Sequence, residues 1–237
     1  MALDQDILDH LLETVRRFVK NRLVPLEAQV AETDQIPASI IDEMRDLGLF
    51  GLTIPEQYGG LGLNTEEECQ VAIELGYTSA AFRSIIGTNN GIGSQGLIMD
   101  GTEEQKKLYL PRLATGEIIG SFALTEPNVG SDSAKVQTKA TKDGNHYILN
   151  GTKRWITNAN IANVFTVFAR TNQSIDGAGG VSAFLVNADT PGISLSSKYK
   201  KMGQQGAHVC DVIFDECRVP ETNIIGGPEN INNGFKT

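Results

Sequence analysis

Ile7, Leu8, Leu11, Leu12, Val15, Phe18 and Val19 recur at the three- and four-residue steps of a helix, with Arg16, Arg17 and Lys20 outside the stripe. That spacing predicts an amphipathic helix near the start of the chain. Pro37 can open a second through "PASIIDEMRDLG", with Gly48 as a left-handed cap. "NTEEECQVAIELGY" begins with Asn64 or Thr65 as its cap and sets glutamates in the first turn, where the helix dipole favours negative charge. In "TEEQKKLYLPRLATG", Thr102 and Gln105 stand at capping-box spacing and Gly116 ends the run. Beyond Gly116 the pattern changes. "EIIGSFALT", "AKVQTKAT", "HYILNG", "KRWITN", "NVFTVFART", "GVSAFLVNA", "ISLSS" and "HVCDVIFDECRV" are short, rich in β-branched and aromatic residues, and punctuated by Gly, Asn and Asp, which predicts strands. The Asp-Gly in "KDGNHY" should join residues 135–141 and 146–150 as a hairpin. The pattern describes an α+β protein: an all-α domain over residues 1–116, then a β domain over residues 117–237.

Composition narrows the function. A 40% hydrophobic, 21% charged chain of 237 residues is ordinary for a globular protein, and no apolar run approaches membrane-spanning length. A formal net charge of −9 argues against broad phosphate-backbone binding, so nucleic acid is not an expected partner. "MALDQDILDH" carries neither a secretory nor an Arg-rich leader pattern. Cys69, Cys210 and Cys217 show no paired spacing, which fits a reducing compartment, and a cytoplasmic protein is expected.

Familiar catalytic templates fail in context. "GIGSQG", Gly91 to Gly96, spells the dinucleotide glycine pattern, yet helical segments flank it on both sides where a strand should deliver the turn. His208 and Cys210 lack the second pair that a zinc site needs, so no metal is expected. No P-loop or nucleophile elbow occurs.

"SFALTEPNVGSD", Ser121 to Asp132, and "NGTKRWITNA", Asn150 to Ala159, are more informative. A strand ends near Thr125, and the turn at Gly130 and Ser131 leaves backbone amides free to meet a phosphate or carboxylate. Trp155, the one tryptophan, alternates with Thr157, so both side chains should share a face. An aromatic wall beside a hydroxyl suits a flat heteroaromatic ring; equally, the same residues fit a core anchor and a plain turn.

These two stretches resemble the flavin-binding motifs of the acyl-CoA dehydrogenase family, and "TIPEQYGGLGL", "GTEEQKKLYLPRLATGE", "KMGQQGAHVCDVIFDECRVPETNIIG" and a final "GF" continue the likeness in order. The resemblance implies an amino-terminal helical domain, then a β-barrel domain with FAD against it. Phe122, Leu124 and Thr125 are similar to the strand residues lining the isoalloxazine ring, Gly130 and Ser131 to the turn meeting flavin and acyl-CoA, and Trp155, Ile156 and Thr157 to the segment packing on the ring. Arg83 lies on a helix that in this family borders the acyl pocket, where dehydrogenases of dicarboxylyl-CoA use an arginine.

The implied activity is α,β-dehydrogenation of an acyl-CoA thioester in fatty acid metabolism, with electrons passing to an electron-transfer flavoprotein and a homotetramer as the full-length assembly. In the family a carboxy-terminal helical bundle carries the general base, which here would lie beyond Thr237. No catalytic residue is therefore assigned, and the 237-residue chain is expected to be a truncated form without turnover of its own. A flavin-dependent oxidase or monooxygenase on the same scaffold, which would form peroxide or insert oxygen in air, and a non-catalytic fragment that fails to bind FAD, are the alternatives.

Overall fold

The computed structural model describes residues 3–236; Met1, Ala2 and Thr237, on which the leader and truncation expectations turn, lie outside the described residues. Helix α1 (Gln5–Phe18) buries Leu8, Val15 and Phe18 along the expected stripe. Ile7 departs from it, 57% exposed, because it sits about 100° around the helix from Leu8. The chain continues through a π turn (Val19–Leu23) and a 3-10 turn (Val24–Leu26) into α2 (Glu27–Thr33), an element that no stripe announced. Pro25 removes an amide at the junction and so disguises the continuity.

Helices α3 (Ala38–Asp46), α4 (Thr65–Leu75), α5 (Ala80–Asn90), α6 (Gln95–Asp100) and α7 (Glu103–Ala114) follow. The structure selects Asn64 as the cap of α4: its Oδ1 accepts from the Glu67 amide at 3.0 Å, and the Glu67 carboxylate accepts from the Asn64 amide at 2.8 Å. Thr102 and Gln105 form the same reciprocal pair at α7. Gly48 and Gly116, both at φ +70°, follow α3 and α7 as expected. Gly91 directly follows α5 and Gln95 opens α6, so a helix rather than a strand feeds "GIGSQG".

The strands are β1 (Gly120–Ala123), β2 (Lys139–Asp143), β3 (His146–Thr157), β4 (Val164–Arg170), β5 (Val181–Asn187), β6 (Ile193–Leu195) and β7 (Val209–Pro220). They form one sheet in the order β1-β4-β2-β3-β7-β6, with β5 also on β4. β1 runs parallel to β4 from Gly120 opposite Val164, and β2 meets β4 only at Lys139 opposite Arg170. The sheet curls enough for the Ser121 hydroxyl to donate to the Thr157 carbonyl at 2.6 Å, and for Ile224, past β7, to bridge Phe184 on β5. The β domain is thus a curled, barrel-like sheet.

The expected hairpin forms around Gly144 and Asn145, but β2 begins at Lys139 rather than at residue 135. The reason is chemical: the Glu126 carboxylate accepts from the Gln137 and Thr138 amides at 2.7 and 2.8 Å, withdrawing them from the ladder. "HYILNG" and "KRWITN" belong to the single strand β3.

Tyr147, Leu149, Phe165, Phe184 and Phe214 pack inside the curl, and Phe50 and Phe82 sit in the helical core. Tyr109, Leu113, Val164 and Phe168 join α7 to the outer side of β4. Each such side chain removed from water contributes about 1.5–3 kcal/mol, and β4 is apolar on both faces because it lies between the two layers. Asn89 completes the junction: its amide nitrogen donates to the Leu113 and Ile118 carbonyls at 3.0 and 2.9 Å, while its Oδ1 accepts from the Gly120 amide at 2.8 Å.

Candidate functional site

On β1 and just past its end, Ser121 and Ala123, which are buried, alternate with Phe122 and Leu124, which are half-buried. Phe122 and Leu124 turn away from the curl and line a cleft of about 270 Å³ with Ile92, Gln95, Phe168 and Phe235. The Phe122 and Phe168 rings lie 5.1 Å apart, centroid to centroid, and pack tilted against each other along this wall.

Thr125 follows, and its carbonyl accepts from the Arg154 amide at 2.7 Å. That bond brings the end of β1 against the far part of β3 and sets Thr125 beside Arg154 and Trp155. On β3, Tyr147, Leu149 and Lys153 are buried at alternate positions, a parity that would send Trp155 inward as well. Instead the ladder to β7 runs from Lys153 opposite Val212 to Ile156 opposite Cys210, one residue out of step. A β-bulge of this kind reverses which side chains face in. Ile156 becomes the buried member of the barrel core, and Trp155, at φ +59°, is 60% exposed. Trp155 and Thr157 therefore share the outer face, as expected, but through the bulge rather than through regular alternation; Ile156 offers this rim its backbone alone.

Beyond Thr125 the chain makes a tight turn in which Glu126 and Val129 exchange backbone hydrogen bonds, leaving Gly130 and Ser131 exposed. Among the described residues their amides donate to no internal partner. Next to them an open cleft of about 890 Å³ is lined by Lys135, Lys139 and Arg170, among others. Arg83 lies on α5, with its side chain 48% exposed and 3.8 Å from Glu68.

Two features of the site escaped the sequence reading. Lys153 and Glu126 are buried together, 2.8 Å apart, with the ammonium also donating to the Leu124 carbonyl. Burial alone would raise the Glu126 pKa, but the Lys153 charge and the hydrogen bonds from Lys153, Thr138 and Gln137 outweigh it and hold the carboxyl below its usual value. Burial pulls Lys153 down to about 8, against the opposing pull of Glu126. A lysine in register with Tyr147 and Leu149 is the signal that could have found this pair. Asp211, the charge inside the apolar run "HVCDVIF", is the second: it is 7% exposed and contacts both bulge residues. Cys210 and Cys217 lie in the barrel core, burial pushing the Cys217 thiol up to about 11 and the Cys210 thiol upward too. Among the described residues no group of three or more His, Cys, Asp or Glu is arranged to hold a metal, and no helix is long and apolar enough to cross a membrane.

The donor set suits a flat, polar-edged aromatic group with an anionic tail: an exposed indole, hydroxyls at Thr125 and Thr157, unpaired amides at Gly130 and Ser131, and lysines beyond. Comparison with known proteins places the chain in a family. The family description "Acyl-CoA dehydrogenase, N-terminal domain" matches residues 6–117, and "Acyl-CoA dehydrogenase, middle domain" matches residues 121–217. The mitochondrial isovaleryl-CoA dehydrogenase of Pongo abelii is 39% identical over 219 residues, 91% of this chain and 52% of that protein. Butyryl-CoA dehydrogenase from Megasphaera elsdenii superposes with a TM-score of 0.91 at 32% identity, covering 100% of this chain and 62% of its own. A glutaryl-CoA dehydrogenase from Mycobacterium smegmatis in complex with FADH2 gives a TM-score of 0.85 at 36% identity, over 94% of this chain and 55% of its own. The chain belongs to the acyl-CoA dehydrogenase family. It spans about half the length of the curated relatives it matches.

Proposed function

We propose that the rim formed by Phe122, Leu124, Thr125, Gly130, Ser131, Trp155, Ile156 and Thr157 holds FAD, and that the protein serves α,β-dehydrogenation of an acyl-CoA thioester. The observation that carries this reading is the Thr125 carbonyl to Arg154 amide bond, which sets Thr125 beside the segment of β3 that bears the outward-facing Trp155. Trp155 would supply a surface for the ring, Thr125 and Thr157 hydrogen-bonding groups for its polar edge, and Phe122 and Leu124 an apolar wall. The amides at Gly130 and Ser131 would be available to anionic groups of the cofactor or of the acyl-CoA, with Lys139 and Arg170 in the adjoining cleft to offset phosphate charge. When bound, FAD supplies the hydride acceptor.

Removing the α proton of a thioester needs a carboxylate base and hydrogen bonds to the carbonyl oxygen. Glu126 is committed to Lys153, and Asp211 to the bulge, so neither is assigned that role. Arg83 is the residue we assign to a distal substrate carboxylate, where a guanidinium would select dicarboxylyl-CoA. With this reading go an electron-transfer flavoprotein as electron acceptor, a homotetrameric assembly, a reducing compartment inferred from three free cysteines, and a domain division at residues 116 and 117, supported by the end of α7 at Ala114 and the start of β1 at Gly120.

Titration of the full chain with FAD tests it. Saturable quenching of Trp155 emission with a shifted flavin spectrum is the expected result; a flavin that leaves both signals unchanged overturns the reading. Incubation of the FAD-loaded chain with a panel of acyl-CoAs then reads turnover.

A further inference from the structure

Arg154 and Trp155 together stand opposite one residue of β7, Asp211. Its carboxylate gathers donors from three directions. The Trp155 amide lies 3.3 Å from Oδ1, the Arg154 guanidinium 3.2 Å from Oδ2, and the Tyr199 hydroxyl 3.0 Å from Oδ1. Asp211 is itself held by Ser196, whose hydroxyl accepts from the Asp211 amide at 2.9 Å and whose own amide donates to the Asp211 carbonyl at 3.0 Å. The bulge needs such a clamp, because a bulky non-glycine residue in the left-handed region is disfavoured and persists only where its surroundings fix it.

We propose that Asp211 is a positioning residue: by clamping the Arg154–Trp155 bulge it keeps the strand parity reversed, so that the indole faces outward as the wall of the flavin site. The part of this that concerns flavin rests on the function proposed above; the clamp itself does not. An ion pair serving only Arg154 would not require the bond to the Trp155 amide, and that bond separates positioning from general stabilisation.

Trp155 is the chain's one tryptophan, so its emission reports the bulge directly, without flavin. In the full chain, Asp211→Ala should lower Trp155 anisotropy and raise its acrylamide quenching, and weaken FAD binding about tenfold, the scale of one lost charge-assisted hydrogen bond. Asp211→Asn keeps an Oδ1 able to accept from the Trp155 amide but sets an NH2 against the Arg154 donors, so all three readouts should fall between those of the unmutated chain and of Asp211→Ala. Unchanged anisotropy and quenching in Asp211→Ala overturn the clamp. Should Asp211→Ala fail to fold, hydrogen exchange in the unmutated chain decides: a protected Trp155 amide supports the clamp, and exchange at the rate of an exposed amide overturns it. An unmutated chain with no FAD affinity sinks the flavin reading instead, leaving the clamp to be judged by the tryptophan signals.

Discussion

Lys153 donates to Glu126 at 2.8 Å with both side chains shut away from solvent, and the same carboxylate takes the Gln137 and Thr138 amides. The pair thereby holds the turn after β1 to the strand that carries Trp155. Removing one partner leaves a buried charge uncompensated, which costs about 3–5 kcal/mol. Lys153→Met should accordingly lower Tm by about 10 °C in a chain of this size, read by circular dichroism.

Acid should act through the same carboxylate. Glu126 is held below the ordinary glutamate value of 4.5, whereas the unfolded chain takes up its proton there. Its contribution is complete above that value and is lost as the pH falls below it, because the unfolded state then binds the extra proton. A Tm profile from pH 6 to pH 3 should drop less steeply in Glu126→Gln, relative to its own value at pH 6, than in the unmutated chain; parallel profiles would remove Glu126 from the account.

Gly60, in "TIPEQYGGLGL", is fixed by close approach. A Cβ built there would lie 1.9 Å from the Ile54 carbonyl oxygen, a backbone atom that cannot swing aside. Gly60→Ala should destabilise by more than about 3 kcal/mol, the range of severe core disruption, measured by denaturant unfolding.

Trp155 bears on binding and little on stability. Because it is 60% exposed, Trp155→Ala should leave Tm within about 2 °C while raising the dissociation constant for FAD about tenfold through loss of the aromatic surface. Loss of stability with unchanged flavin affinity would reverse that assignment.

Arg83→Met, introduced into an active enzyme of full family length, should lower the preference for glutaryl-CoA over hexanoyl-CoA at least about tenfold, as expected for a lost guanidinium–carboxylate contact. An unchanged kcat/KM ratio would leave Arg83 as a surface residue paired with Glu68.

Local chemistry was legible in the sequence, and tertiary chemistry was not. The caps at Asn64 and Thr102 were readable because both partners lie within one turn, and the break near Gly116 because the periodicity itself changes. Helix α2 was hidden by Pro25, and the late start of β2 by a carboxylate at Glu126 that competes for its amides. Thr125 and Trp155 could be placed on one rim by resemblance, but the bulge that turns the indole outward depends on Asp211, 56 positions further along the chain, on β7. No window along the chain contains both.

The surplus residue between Lys153 and Ile156 also governs how this surface can change over generations. Substitution at 154 or 155 alters what stands on the outer wall without moving Ile156 from its place opposite Cys210. Loss of either residue would close the bulge and leave the wall one outward position in place of two. The wall is open to variation in chemistry and closed to variation in placement.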